Sequence, residues 1–182
     1  MIQFRFNPVK TAQAVHQMLV WADGTLDFHT ILKAVYFADR EMLNRHARPI
    51  FGATYRAMNY GPVPLQVYEM LKAEPYWLSE LDMEDYPWTR HGYKVTTLHG
   101  HNNPPETDHL ARAEIELLHN ALTKSRAMSF DQRTRETHGM DWVRGTQRYD
   151  ERMAYEDMIA PDHPSREEVI EDLEAMGPRI VL

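Results

Sequence analysis

Cysteine is absent from the 182 residues. Its absence excludes a disulfide framework, a thiolate metal site and a cysteine nucleophile, and it suits a reducing cytoplasm. Long apolar runs are missing too. No stretch approaches the ~18 residues of a membrane span, and the mean hydropathy is −0.58. Residues Met1 to Phe6 lack the apolar core and small-residue cleavage site of a secretion signal. The expectation is a cytoplasmic protein with no membrane contact. A basic surplus is also lacking, because the formal net charge is −7. Ten acids between Asp150 and Glu174 are opposed only by Arg152 and Arg166, so this segment carries about −8 and the rest of the chain about +1. A near-neutral body with an acidic tail argues against a nucleic-acid partner, which normally meets a basic face.

Enzyme signatures are equally scarce. The chain has no Walker-type or Rossmann glycine loop, no G-x-S-x-G elbow and no kinase set. Ser79, Ser125, Ser129 and Ser165 all stand where helix caps or turns explain them. The expectation is a non-enzyme without a cofactor.

What is present fits one mostly helical α+β domain. At 21.4 kDa the chain is long enough to bury a core without a covalent staple. Asn7 and Pro8 suit the start of a helix running to Ala22, with Ala12, Val15 and Leu19 on its apolar face. Asp23-Gly24 stops it. Asp27 then caps a second helix from Phe28 to about Arg45, burying Ile31, Leu32, Val35, Tyr36, Ala38 and Leu43. So short a connection predicts an antiparallel helix pair.

Ile50 to Tyr60 reads as extended, and Gly61-Pro62-Val63-Pro64 as the opening of a third helix that ends before Pro75. Tyr93 to Leu98 is the best strand in the aromatic middle, which leads into a loop at Asn102-Asn103-Pro104-Pro105. Thr107 or Asp108 should cap a helix bearing Leu110, Ala113, Leu117, Leu118 and Ala121. Ser129 with Gln132, and Ser165 with Glu168, have capping-box spacing. The last helix should bury Val169, Ile170, Leu173 and Met176 and stop at Gly177-Pro178. The expected organisation is a domain over 1–148 and an acidic helical extension over 149–182.

Three segments recur in an order that is more specific than generic helix. Ile31-Leu32-Lys33-Ala34-Val35-Tyr36-Phe37-Ala38-Asp39-Arg40 is followed by Pro49-Ile50-Phe51-Gly52-Ala53-Thr54-Tyr55-Arg56-Ala57, then by Tyr60-Gly61-Pro62-Val63-Pro64 with Tyr68 and Leu71. Together with Ser129 to Trp142, these resemble the Panacea domain of SocA-like bacterial antitoxins, over roughly residues 8 to 146. The resemblance implies an antitoxin that binds and neutralises a protein toxin encoded nearby. In its SocA-like branch it implies an adaptor that hands the toxin to the ClpXP protease. Direct occlusion without protease, or a phage- or plasmid-borne interaction domain with no toxin, are the alternatives.

Candidate contact residues are Tyr60, Gly61, Pro62 and Val63, which form a stiff loop, and His138 with Trp142, four apart and therefore on one face if helical. Each also has a plainer reading as helix entry or core packing. Asp39 is expected to be a structural polar anchor, either pairing with the helix neighbours of Arg40 or hydrogen-bonding backbone beneath the Gly61 loop. Ten histidines raise the question of a metal enzyme built on His99, His101, His138 and Asp39, with His91 and His109 nearby. The absence of H-E-x-x-H spacing and of cysteine speaks against it, so no metal is expected. The apolar stripe of the tail (Tyr155, Met158, Ile159, Val169, Ile170, Leu173) fits either folding back on the domain or lying in a partner's groove.

Overall fold

The computed structural model describes residues 1–98 and 105–182. It is a mostly helical α+β fold, with nine α-helices and two small antiparallel sheets among those residues.

Helix α1 (Pro8–Trp21) starts as its cap dictates: the Asn7 side chain accepts from Lys10 N, and Pro8 needs no partner at the first position. Asp23 (φ 59°) and Gly24 (φ 100°) turn the chain into the short strand β1 (Thr25–Asp27). Asp27 caps α2 (Phe28–His46), accepting from Thr30 N and Thr30 Oγ1 at 2.9 and 2.6 Å. Helix α2 is the central element. Ile31, Ala34, Val35, Tyr36 and Ala38 are wholly buried, and the helix packs closely against α5 (Arg112–Arg126), where Ser125 Oγ donates to Thr30 O.

Strands β2 (Tyr55–Met58) and β3 (Gly61–Pro64) form a tight hairpin. This corrects the expected helix start at Gly61, because α3 (Leu65–Leu71) begins only after Pro64. Proline's missing N–H is tolerated in a first helical turn, but equally on an edge strand. Pro62 and Pro64 alternate, so the ladder runs through the N–H groups of Gly61 and Val63, which face Met58 and Arg56. Thr54 O takes the Leu65 N–H just beyond the ladder.

After α4 (Pro75–Leu81), strands β4 (Trp88–His91) and β5 (Lys94–Thr97) join β1 in the order β1-β5-β4. The expected strand at Tyr93 to Leu98 is therefore β5. The loop Asn102 to Pro105 lies largely outside the described residues, as do His99 and His101.

The cap position of α5 is Ala111 rather than Thr107 or Asp108. Asp108 is drawn instead to Gln13 Nε2 (2.6 Å), and His109 N to Gln13 Oε1. The buried Glu114 carboxylate reaches back to Ala111 N and also takes Lys10 and Arg48, at 2.9 and 2.7 Å. The Ser129–Gln132 capping box opens α6 (Phe130–Glu136) with both reciprocal bonds made. Helix α7 (Met140–Thr146) follows.

The acidic tail folds back. Glu151 O and Met153 N bond Ala57 N and Tyr55 O along the outer edge of β2. Met153, Ala154 and Ile159 are buried, as are Tyr155 and Met158 of α8 (Tyr155–Met158), and Tyr155 Oη donates to Ala53 O at 2.7 Å. Helix α9 (Arg166–Met176) starts behind Ser165, but the serine side chain makes no cap bond, so this capping box does not form. Leu173 is buried and Val169 and Ile170 partly so. Met176, expected inside, is exposed, one position short of the 3₁₀ turn at Gly177–Arg179.

Candidate protein-binding face

The β2–β3 turn, Asn59-Tyr60, and its flanks are held by four side chains, two from α2, one from α7 and one from the segment just before α7. Each takes backbone of a different residue. Trp142 Nε1, on α7, donates to Met58 O at 2.9 Å. His138, just before α7, hydrogen-bonds to the Asn59 backbone. His29 Nε2, on α2, meets Tyr60 O at 3.3 Å. Lys33 Nζ, one turn further along α2, donates to Pro62 O at 2.8 Å. The Pro62 carbonyl is on the outer edge of β3 because the ladder uses Val63 and Gly61, and Lys33 satisfies it there.

Gly61 is required within this grip. Its φ is +97°, and a Cβ would collide with Thr137 Oγ1 and stand 3.1 Å from Lys33 Nζ. Thr137 is itself fully buried and bonded to Arg133 O.

Charge and tautomer agree with this arrangement. Arg133 Nε donates to His29 Nδ1 at 3.0 Å, so His29 carries its proton on Nε2, toward Tyr60 O. Burial first, and then the Lys33 charge, push His29 down to about 4. Lys33, 1% exposed, is pushed down to about 7 by burial and then by Arg133. His138 is lowered by burial and by Lys33. Its ring lies flat on Trp142, with centroids 3.7 Å apart and planes 8° from parallel, and its Nε2 is buried without a partner among the described residues.

The grip presents an aromatic surface. Tyr60 is 62% exposed and stands edge-on to Phe130, which stacks on His29 at 4.1 Å. Phe130 is itself exposed, as are Met58 at the end of β2 and Met140 at the start of α7. Arg133 fixes the base of this patch through Ser125 O and Met128 O.

The structure brings together the six residues singled out in the sequence. Tyr60 is exposed and His138 and Trp142 are half-buried, but Gly61, Pro62 and Val63 are buried, so they shape the turn rather than line a surface. Asp39 is wholly buried away from that turn. Its Oδ1 accepts from Ile50 N (2.7 Å) and Phe51 N (3.2 Å), and its Oδ2 from Tyr55 Oη (2.9 Å). Burial raises its pKa to about 6 against the pull of those bonds. Another buried carboxylate, Asp141, takes the Tyr36 hydroxyl at 2.5 Å and fixes α7 to α2.

Sequence reasoning missed His29, Lys33, Phe130 and Arg133. A signal existed: His29 and Lys33 are polar residues four apart among the apolar positions of a helix read as buried. Among the described residues, no three His, Asp or Glu side chains converge as metal ligands, and no helix is long and apolar enough to cross a membrane.

The sequence matches the family described as Antitoxin SocA-like, Panacea domain, over residues 31–143. That span runs from the first turn of α2 into α7 and takes in the hairpin and three of its four clamping side chains, Lys33, His138 and Trp142, while His29 lies two residues before it. Comparison with curated proteins and with solved structures gave no match. Spanning more than half of the chain, the match means that this protein belongs to the SocA-like antitoxin family, whose shared unit is the Panacea domain.

Proposed function

We propose that this chain neutralises a cognate protein toxin by binding it through the aromatic face around Tyr60, and that it then delivers the toxin to ClpXP. The observation that carries the reading is the clamped turn: Met58, Asn59, Tyr60 and Pro62 each have a backbone group taken by a side chain of α2 or the α7 region. Exposed aromatic side chains on a rigid support lose little entropy on binding, and such residues dominate interface energetics. The buried Gly61, Pro62 and Val63 act as that support. The acidic outer face of α9, bearing Glu167, Glu168, Glu171 and Glu174, would speed association with a basic toxin.

The test is growth of cells expressing the neighbouring gene's product, with and without this protein, in strains with and without ClpXP. Rescue only where both are present supports delivery. Rescue in both strains replaces delivery with occlusion, and the lack of any rescue refutes the antitoxin reading of this chain.

A further inference from the structure

The stripe of α2 that grips the turn continues beyond it. His29, Lys33 and Tyr36 lie under β3, α6 and α7. Further along the same side, Phe37, Arg40 and Asn44 emerge into a groove of about 560 Å³ between α2, α5 and residues 160–164. Phe37, Leu117 and Ala121 supply its apolar lining.

The wall opposite is fixed in place. Asn44 Nδ2 donates to Met158 O, Asn44 Oδ1 accepts from Ala160 N at 2.7 Å, and the His163 ring meets Asn44 O at 3.1 Å. The groove is therefore formed before anything occupies it.

Its charges are unevenly used. Arg45 pairs with Glu41 at 2.6 Å, and Lys124 with Glu136 at 3.0 Å, while Lys124 also lies over the Phe37 ring. Arg40 donates one hydrogen bond to the Tyr36 hydroxyl and, among the described residues, has no carboxylate within ion-pairing distance, so its remaining N–H groups are left for the groove. A guanidinium offers a planar fork suited to a carboxylate. Asp162, also on the lining, repels a ligand of dense negative charge such as a nucleic acid.

We infer that this groove is a docking site for a peptide segment of a partner protein that carries a single carboxylate beside apolar side chains. Arg40 receives the carboxylate, and Phe37, Leu117 and Ala121 receive the apolar side chains. The site is separate from the Tyr60 face and does not depend on toxin binding.

The test is an NMR titration of the full ¹⁵N-labelled chain with acetyl-Leu-Glu-Leu-amide and, in parallel, acetyl-Leu-Gln-Leu-amide. The Glu peptide is expected to give saturable shifts at the amides of Asn44, Asn120 and Lys124 at millimolar concentration. The Gln peptide, or R40Q protein, should bind at least about tenfold more weakly. R40K, which keeps the charge and loses the fork, should fall between. The inference is overturned by shifts that map elsewhere, by equal binding of the two peptides, by an R40K variant with unchanged or abolished binding, or by no shifts at all.

Discussion

Raising the pH from 7 to 9 is expected to stabilise this protein through Lys33. The side chain is 1% exposed, and burial followed by the Arg133 charge pushes it from the ordinary 10.5 down to about 7. Between those values the unfolded chain holds a proton that the native state has released, so stability rises with pH. Each unit corresponds to about 1.36 kcal/mol, and Lys33 begins half-protonated at pH 7, so the gain by pH 9 is about 2 kcal/mol. The neutral amine can still donate to Pro62 O, so the hairpin keeps its support. Lys33→Met separates the two effects. It removes the cost of burying an ammonium but leaves the Pro62 carbonyl unsatisfied, at about 1–3 kcal/mol. Burying the ammonium costs about 4 kcal/mol at pH 7 and about 2 kcal/mol at pH 9, so the variant should be the more stable protein near pH 7 and should have lost that lead by pH 9. Urea unfolding of both proteins at pH 7, 8 and 9 measures this, and the difference between the curves cancels groups that titrate in both. Parallel curves, or a wild type that loses ground against the variant, would refute the reasoning.

Three further outcomes follow from the same geometry. Gly61→Ala should cost about 2–4 kcal/mol, since it combines a φ of +97° with a clash at Thr137; an unchanged thermal midpoint contradicts the clamped turn. Asp39→Ala should cost about 3–5 kcal/mol by orphaning the N–H groups of Ile50 and Phe51 and the Tyr55 hydroxyl, as measured by denaturant titration. On the acid side, His29 stays neutral in the fold down to about 4 while the unfolded chain protonates near 6.5, so stability falls as pH drops through that window. His29→Gln should flatten that decline in unfolding curves taken at pH 7, 6 and 5, and an identical decline in both proteins would remove His29 as its source.

Much of the helical frame was legible because its signals are local. Asp27 and Ser129 cap the helices that their spacing announces, and the apolar face of α2 is buried as its periodicity requires. The Gly61 to Pro64 segment was misread because a missing N–H is compatible with both a helix start and an edge strand. Only the register against Arg56 and Met58, which is a tertiary fact, decides between them. Strands β1 and β4 are three and four residues long and carry no alternation to detect. At the site, the sequence pointed to Tyr60, His138 and Trp142, but not to His29 and Lys33 of α2, which take the Tyr60 and Pro62 carbonyls. Lys33 lies 29 residues from the carbonyl it serves, and no local pattern encodes that distance. In the tail, the ten acids pointed to a charged extension and the apolar stripe left open whether it folds back or lies in a partner's groove; Tyr155, Met158, Ile159 and Leu173 are buried against the domain.

The central claim is that a protein toxin is neutralised through the Tyr60–Phe130 face. Its most direct test is growth of cells that express the neighbouring gene's product together with wild-type protein or with the double variant Tyr60→Ala, Phe130→Ala, both side chains being exposed enough that the fold should survive. Toxicity that the wild type relieves and the folded double variant does not is the predicted result. Equal relief by both proteins, or none by the wild type, would contradict it.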